Sequence, residues 1–215
     1  MVSRMFLHEE LHRGRQFSKL RDKTVTIAGC GALGSWTSVI LARSGVSSFV
    51  LYDKDRVEMH NTSTQAFTLE NLNQSKVRAL SGILYQINKA RARTYFVEVN
   101  ESNVEEVLSS GDLTICTFDN YESRRLMKEY ACKLNVPCLF GGINGKAEYG
   151  EVKWASNYLP PPDPETINVD PCSYPLSTTL VLFASSVLAE SAIEFLLTGR
   201  KKGSSFVLRW LFRET

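Results

Sequence analysis

Thr24-Val25-Thr26-Ile27-Ala28-Gly29-Cys30-Gly31-Ala32-Leu33-Gly34 is the stretch whose reading decides the fold. A β-type run, Thr24–Ala28, enters three glycines and then a helix-patterned segment, Ala32–Arg43, that Gly45 closes. A second β-type run, Ser48–Tyr52, comes next and ends on an acid, Asp53. Strand, helix, strand in that order demands a parallel pair joined by a crossover. Glycine lets the backbone turn tightly and approach a phosphate, while the helix N-terminus offers unpaired N–H groups and a positive dipole end to an anion. Asp53 lies beyond Gly34 at close to the ~20-residue offset at which a carboxylate meets a ribose hydroxyl. A nucleotide is the expected ligand, with Gly29, Gly31, Ala32, Leu33 and Gly34 on its phosphate side.

Outward from that unit the β-α rhythm continues. Apolar residues at Val77, Leu80, Ile83, Leu84 and Ile87 predict a helix over 75–88, and 94–99 reads as a strand. A short helix over 104–108, a strand over 113–117, a helix over 121–134 and a strand from Cys138 to Phe140 come next. The segment 146–154 alternates enough for strand pairing. Five prolines, Pro160, Pro161, Pro162, Pro164 and Pro171, make 157–174 a long loop. A second long helix over 177–197 and a closing strand over 205–212 complete the chain. The expected fold is α/β and Rossmann-like: a mostly parallel sheet continuing into antiparallel strands, in one domain over 1–215 with an N-terminal helical arm over 1–20.

Charge and cysteine content narrow the surroundings. The net charge of +2, from 25 basic and 23 acidic residues, singles out no polyanionic partner, so nucleic acid is not expected. Cys30, Cys116, Cys132, Cys138 and Cys172 form no CxxC pair, and an odd number suits a reduced, cytoplasmic setting. His8, Glu9 and Glu10 stand where an export signal needs its apolar core. The uncharged stretch 176–189 is shorter than the ~18 residues of a membrane span and reads as a buried helix.

The residues after Asp53 are more specific than the glycine loop. Asp53-Lys54-Asp55-Arg56-Val57-Glu58 leads to Asn61 and Gln65, then to Gln74-Ser75-Lys76, then to Phe118-Asp119-Asn120 and Arg124, with Cys172 ahead of the last long helix. This ordered set resembles the ThiF/MoeB/HesA family, prokaryotic relatives of ubiquitin-activating enzymes, over nearly the whole chain. The resemblance implies ATP·Mg²⁺-dependent adenylation of the C-terminal glycine carboxylate of a small ubiquitin-like or sulfur-carrier protein, by a homodimer. A carboxylate attacking an α-phosphate meets anionic repulsion, so fixed cations and a metal are needed. Lys76 is the expected cation, Asp119 the Mg²⁺ ligand, Asp53 the ribose partner with Asp55 beside it, and Asn61 a phosphate donor. Lys76 has a plainer alternative as a solvated lysine at a helix start and Asp119 as N-cap of the helix at Tyr121, and Arg124 faces the site, is an exposed helix residue or pairs with Glu129.

The departures from the family pattern matter equally. Thr64 stands where an arginine ordinarily precedes the Gln, and the paired cysteines that hold zinc in many members are missing, so zinc is not expected. Arg13 or Arg15 is the counterpart for an arginine lent to a partner subunit. Cys172, just ahead of a helix N-terminus, matches the cysteine that takes the acyl group in the family, and such a position lowers a thiol's pKa. Three other readings stay open: a relative of the tRNA threonylcarbamoyladenosine dehydratases, a catalytically quiet ThiF-like scaffold, and an NAD-linked oxidoreductase. The last is weakest, since His8, His12 and His60 offer no recognisable proton donor.

Overall fold

The computed structural model describes residues 2–144, 148–162 and 176–207. Five parallel strands, β1 (Thr24–Ala28), β2 (Ser48–Tyr52), β3 (Arg91–Tyr95), β4 (Leu113–Cys116) and β5 (Cys138–Ile143), are followed by antiparallel β6 (Tyr149–Trp154) and β7 (Ser204–Val207). They form one sheet in the order β3-β2-β1-β4-β5-β6-β7. The chain winds from β1 out to β3, then restarts at β4 on the other side of β1. That reversal opens a crevice at the carboxyl ends of β1 and β4, the place where open α/β sheets bind ligands.

Helices cover both faces, so the central strands are apolar on both sides. In chain order the helices are α1 (Val2–Met5), α2 (Leu7–Arg13), α3 (Ala32–Arg43), α4 (Asn61–Thr64), α5 (Lys76–Asn88), α6 (Val104–Ser109), α7 (Tyr121–Leu134) and α8 (Thr178–Thr198). Val25, Ile27, Phe49, Leu51, Leu113 and Ile115 pack into one core with residues of α3, α5 and α8. Their strand neighbours Ala28, Val50, Tyr52, Cys116 and Phe140 meet α6 and α7 on the other face. Alternate residues thus feed opposite cores, as the pleat requires.

Two differences from the sequence expectation have physical reasons. The strand expected at 94–99 lies at Arg91–Tyr95, because register against β2 pairs Ser48 with Arg91 and Tyr52 with Tyr95. As the exposed edge strand it carries little apolar alternation, and Val97 to Val99 leave the sheet to line the crevice. α8 has 21 residues of mean hydropathy 1.9, long and apolar enough by composition to cross a membrane. It lies against α3, β5 and β6, and Leu180, Val181, Leu188 and Ala192 are fully buried there. The apolar surplus of α8 is thus largely used within the chain, and Phe183 packs edge-on against Phe206. Of the Pro-rich loop, 163–174 lies outside the described residues, as does Cys172.

The N-terminal arm is tied to α8 by charge. Arg13 donates through both Nη atoms to Glu190, at 3.1 and 2.7 Å, and through Nε to Glu9 at 2.7 Å. This fork geometry pairs Arg13 with two carboxylates of its own chain. Hydrogen bonding to Arg13 holds the Glu190 carboxyl below its ordinary pKa. A depressed folded-state pKa contributes stability above the unfolded value, lost as pH falls through the folded one. Glu190→Gln should therefore lower the thermal midpoint at pH 7, while wild type and variant converge as pH falls below the ordinary carboxylate range of about 4.5; calorimetric scans across pH 3–7 check this.

Candidate functional site

Each glycine of the loop has its own task. Gly29 sits at φ +96°, where an L side chain is strained, and its N–H donates to the Tyr52 carbonyl at 2.9 Å. At Gly34 a Cβ would overlap the Gly29 carbonyl oxygen, so only glycine lets α3 pack down on the turn. Thr117 Oγ1 donates to that same carbonyl at 2.7 Å. At Gly31 a Cβ would meet nothing within 4 Å. This residue opens toward the crevice, and no side chain caps the first turn of α3 behind it. The free N–H groups at that end suit an anion.

Asp53 pins the loop. The side chain is buried, with Oδ2 accepting from the Cys30 N–H at 2.6 Å and Oδ1 from the Asp55 N–H at 2.8 Å. Burial pushes its pKa up, and Lys76 together with these N–H donors holds it down in part. A carboxylate has lone pairs beyond these two bonds, so ribose hydroxyls can still be accepted.

The acid loop delivers Lys76. An antiparallel bridge joins Arg56 to Ser75, and the Lys76 N–H donates to the Asp55 carbonyl at 2.9 Å. Lys76 starts α5, is 8% exposed, and donates through Nζ to Asp55 Oδ2 at 2.9 Å. Burial pulls its pKa down, and Asp53 and Asp55 more than restore it, so the ammonium stays charged. Buried and doubly oriented, it is a preorganised cation.

The crevice opens to solvent. Gly29, Gly31, Asp53, Asp55, Lys76 and Asp119 all line it, brought together from separate segments of the chain. Ala32, Leu33 and Gly34, in the first turn of α3, do not line it. Asn61 does not reach it: the side chain is buried, and Oδ1 accepts from the Glu58 N–H at 2.9 Å. Arg124 does not line it either. It donates to the Phe118 carbonyl at 2.6 Å, shaping the turn that carries Asp119, while Arg125 is the residue that pairs with Glu129. The N-cap of α7 is Asn120, which accepts from the Ser123 N–H at 2.9 Å; this leaves Asp119 to the crevice. At Thr64 the backbone carbonyl accepts from Trp36 Nε1 at 3.1 Å, which ties α4 to α3.

Sequence reading quoted Lys54 and Phe118 without a role in the site and missed Thr117 and the wall formed by Val97, Glu98 and Val99. Their common signal is position: each lies just beyond the carboxyl end of a strand. Among the thiols, burial raises Cys30, Cys116 and Cys138, with Cys116 pushed up to about 12, so none of these three is a nucleophile at neutral pH.

Residues 4–204 match the ThiF family. Similar curated proteins include the ubiquitin-like modifier-activating enzyme 5 of Drosophila virilis, 28% identical over 91% of this chain and 55% of that protein. The enzyme of the same name from Culex quinquefasciatus is 26% identical over 91% of this chain and 56% of its own. The chain thus spans little more than half the length of these relatives. Similar solved structures include Escherichia coli MccB with AMPCPP and MccA, at TM-score 0.73 and 20% identity over 96% of this chain and 70% of that one. PaaA superposes at TM-score 0.75 with 17% identity, over 97% of this chain and 69% of its own.

The two glycines separate structure from binding. Gly34→Ala should cost about 3 kcal/mol or prevent folding, through overpacking against Gly29 and Thr117. Gly31→Ala should change stability by less than about 1 kcal/mol yet weaken ATP binding by about tenfold or more. Urea unfolding and titration calorimetry check the pair.

Proposed function

The chain belongs to the ThiF family, and on that premise we propose that it is an ATP-dependent adenylyltransferase that activates the C-terminal glycine carboxylate of a small ubiquitin-like or sulfur-carrier protein. The observation that carries this reading is the convergence of an uncapped helix N-terminus at Gly31, a buried Asp53, a buried Lys76 and Asp119 on one crevice.

In this reading the nucleotide phosphates lie over the first turn of α3, and Asp53 receives the ribose hydroxyls. Lys76 balances charge on the α-phosphate as the carboxylate approaches, and on pyrophosphate as it leaves. Mg²⁺ is ordinarily held by one or two carboxylates together with substrate phosphates. Asp119, at the carboxyl end of β4 and facing the crevice, suits that donor set. The metal would supply charge neutralisation of the triphosphate when bound. Phe118 offers apolar surface for the base.

Support for the substrate class comes from the relatives, which are named ubiquitin-like modifier-activating enzymes, and from MccB, solved with MccA and a nucleotide analogue. A cytoplasmic homodimer is part of the same reading; Leu182 and Val187 are apolar residues of α8 that stay only half-buried. Sedimentation at micromolar concentration reads the assembly.

ATP-pyrophosphate exchange should require Mg²⁺ and a carrier protein with a free C-terminal glycine. Asp119→Asn should abolish exchange with the fold intact, and Lys76→Ala should slow it by ~10²–10³, the loss of one preorganised donor. NAD(H) binding with no ATP affinity, or full exchange in both variants, would overturn the assignment.

Cys172 is the proposed acceptor of the activated acyl group. Cys172→Ala should keep exchange and lose any thiol-sensitive covalent adduct with the carrier, read by non-reducing electrophoresis. An equal adduct in the variant would make the enzyme one that hands its adenylate directly to an external acceptor.

A further inference from the structure

Among the described residues, the crevice is lined by four carboxylates, Asp53, Asp55, Glu98 and Asp119, and by two cations, Lys54 and Lys76. Such a wall repels a polyphosphate unless its cations are turned toward it. Lys76 is fixed in place: its side chain is 10% exposed, it holds Asp55 at 2.9 Å, and it lies in the field of Asp53, so it meets a phosphate only from where it already stands. Moving it would leave a buried carboxylate uncompensated, a strongly unfavourable change.

Lys54 is in the opposite situation. It stands between Asp53 and Asp55 in the chain, and its ammonium reaches Glu98 on the loop beyond β3 at 2.6 Å. Both side chains of this pair are more than half exposed, at 56% and 61%. An exposed ion pair contributes little net stability, since water replaces either partner readily. The ammonium also feels Asp55 and Asp119, which line the same crevice. A lysine head on a flexible four-carbon stem can change partners by rotamer changes alone, on a fast timescale.

We propose that Lys54 is a movable phosphate-binding residue, which exchanges Glu98 for the phosphate chain of an incoming nucleotide, so that Glu98 tunes affinity by competing for the same ammonium. This deepens the nucleotide reading of the crevice and rests on it. An exchanging pair and a static surface bridge respond differently to substitution. In an exchanging pair the gain from removing Glu98 depends on Lys54, so Glu98→Gln should tighten ATP in the wild-type background and leave it unchanged beside Lys54→Met, whereas a static pair of opposite charges shifts affinity by the same factor in both.

The test is titration calorimetry of the intact chain with Mg²⁺·ATP and with adenosine, which shares the base and ribose but has no phosphate. Lys54→Met should weaken ATP by about tenfold or more, the effect of one charge-assisted hydrogen bond, and leave adenosine within about twofold. Glu98→Gln should tighten ATP by about threefold or more, a smaller gain because the freed lysine was only weakly held, and leave adenosine unchanged. Equal weakening of ATP and adenosine by Lys54→Met, unchanged ATP affinity in it, or weaker ATP binding by Glu98→Gln would each overturn the proposal. Wild-type protein that binds neither ligand would overturn the nucleotide reading itself, and this proposal with it.

Discussion

A single buried carboxylate organises this protein. Asp53 receives the Cys30 N–H on one oxygen and the Asp55 N–H on the other, so the loop after β1 and the loop after β2 are held by the same side chain. Burying a carboxylate is costly unless it is hydrogen-bonded and faces opposite charge. Lys76 supplies that charge, and Lys76 is in place because its own N–H bonds the Asp55 carbonyl. The glycine turn, the acid loop and the start of α5 are thus one coupled unit. Removing Asp53 would loosen all three together.

The fold places this unit where a ligand can use it. The winding reverses between β1 and β4, and helix α3 begins over that gap with its first turn uncapped. The turn that carries Asp119 is held from below, by Arg124 on the Phe118 carbonyl and by Asn120 capping α7. Positive and negative groups therefore line one short open space, on turns that hydrogen bonds to backbone groups hold in place. That division suits a reaction in which charge moves along a phosphate chain, because donors fixed in advance need no reorganisation as it moves.

The central β-α-β unit is legible from residues because every local signal agrees there. The β-branched run 24–28, the three glycines and the helical spacing after them coincide with β1, the turn and α3 at the expected bounds. Legibility fails where tertiary partners decide. β3 lies three residues earlier than its composition suggests, because pairing with β2 sets its register and its side chains face solvent. Arg124 and Asn61 carry the residue types of a phosphate site yet serve neighbouring backbone, a distinction that lies in side-chain direction and not in spacing. The two acids late in α8 are equally opaque in the sequence, where they only interrupt an apolar run. Glu190 anchors the N-terminal arm through Arg13, and Glu194 pairs with Arg200 and Lys202.

We propose that the β1 turn and Asp53 are the two ends of a nucleotide cradle, and a crystal structure of the chain soaked with a non-hydrolysable ATP analogue and Mg²⁺ tests this most directly. Phosphate oxygens should lie within hydrogen-bonding distance of the backbone N–H groups at 31–34, with ribose hydroxyls on the Asp53 carboxylate. A nucleotide bound elsewhere, or its ribose turned away from Asp53, would contradict it.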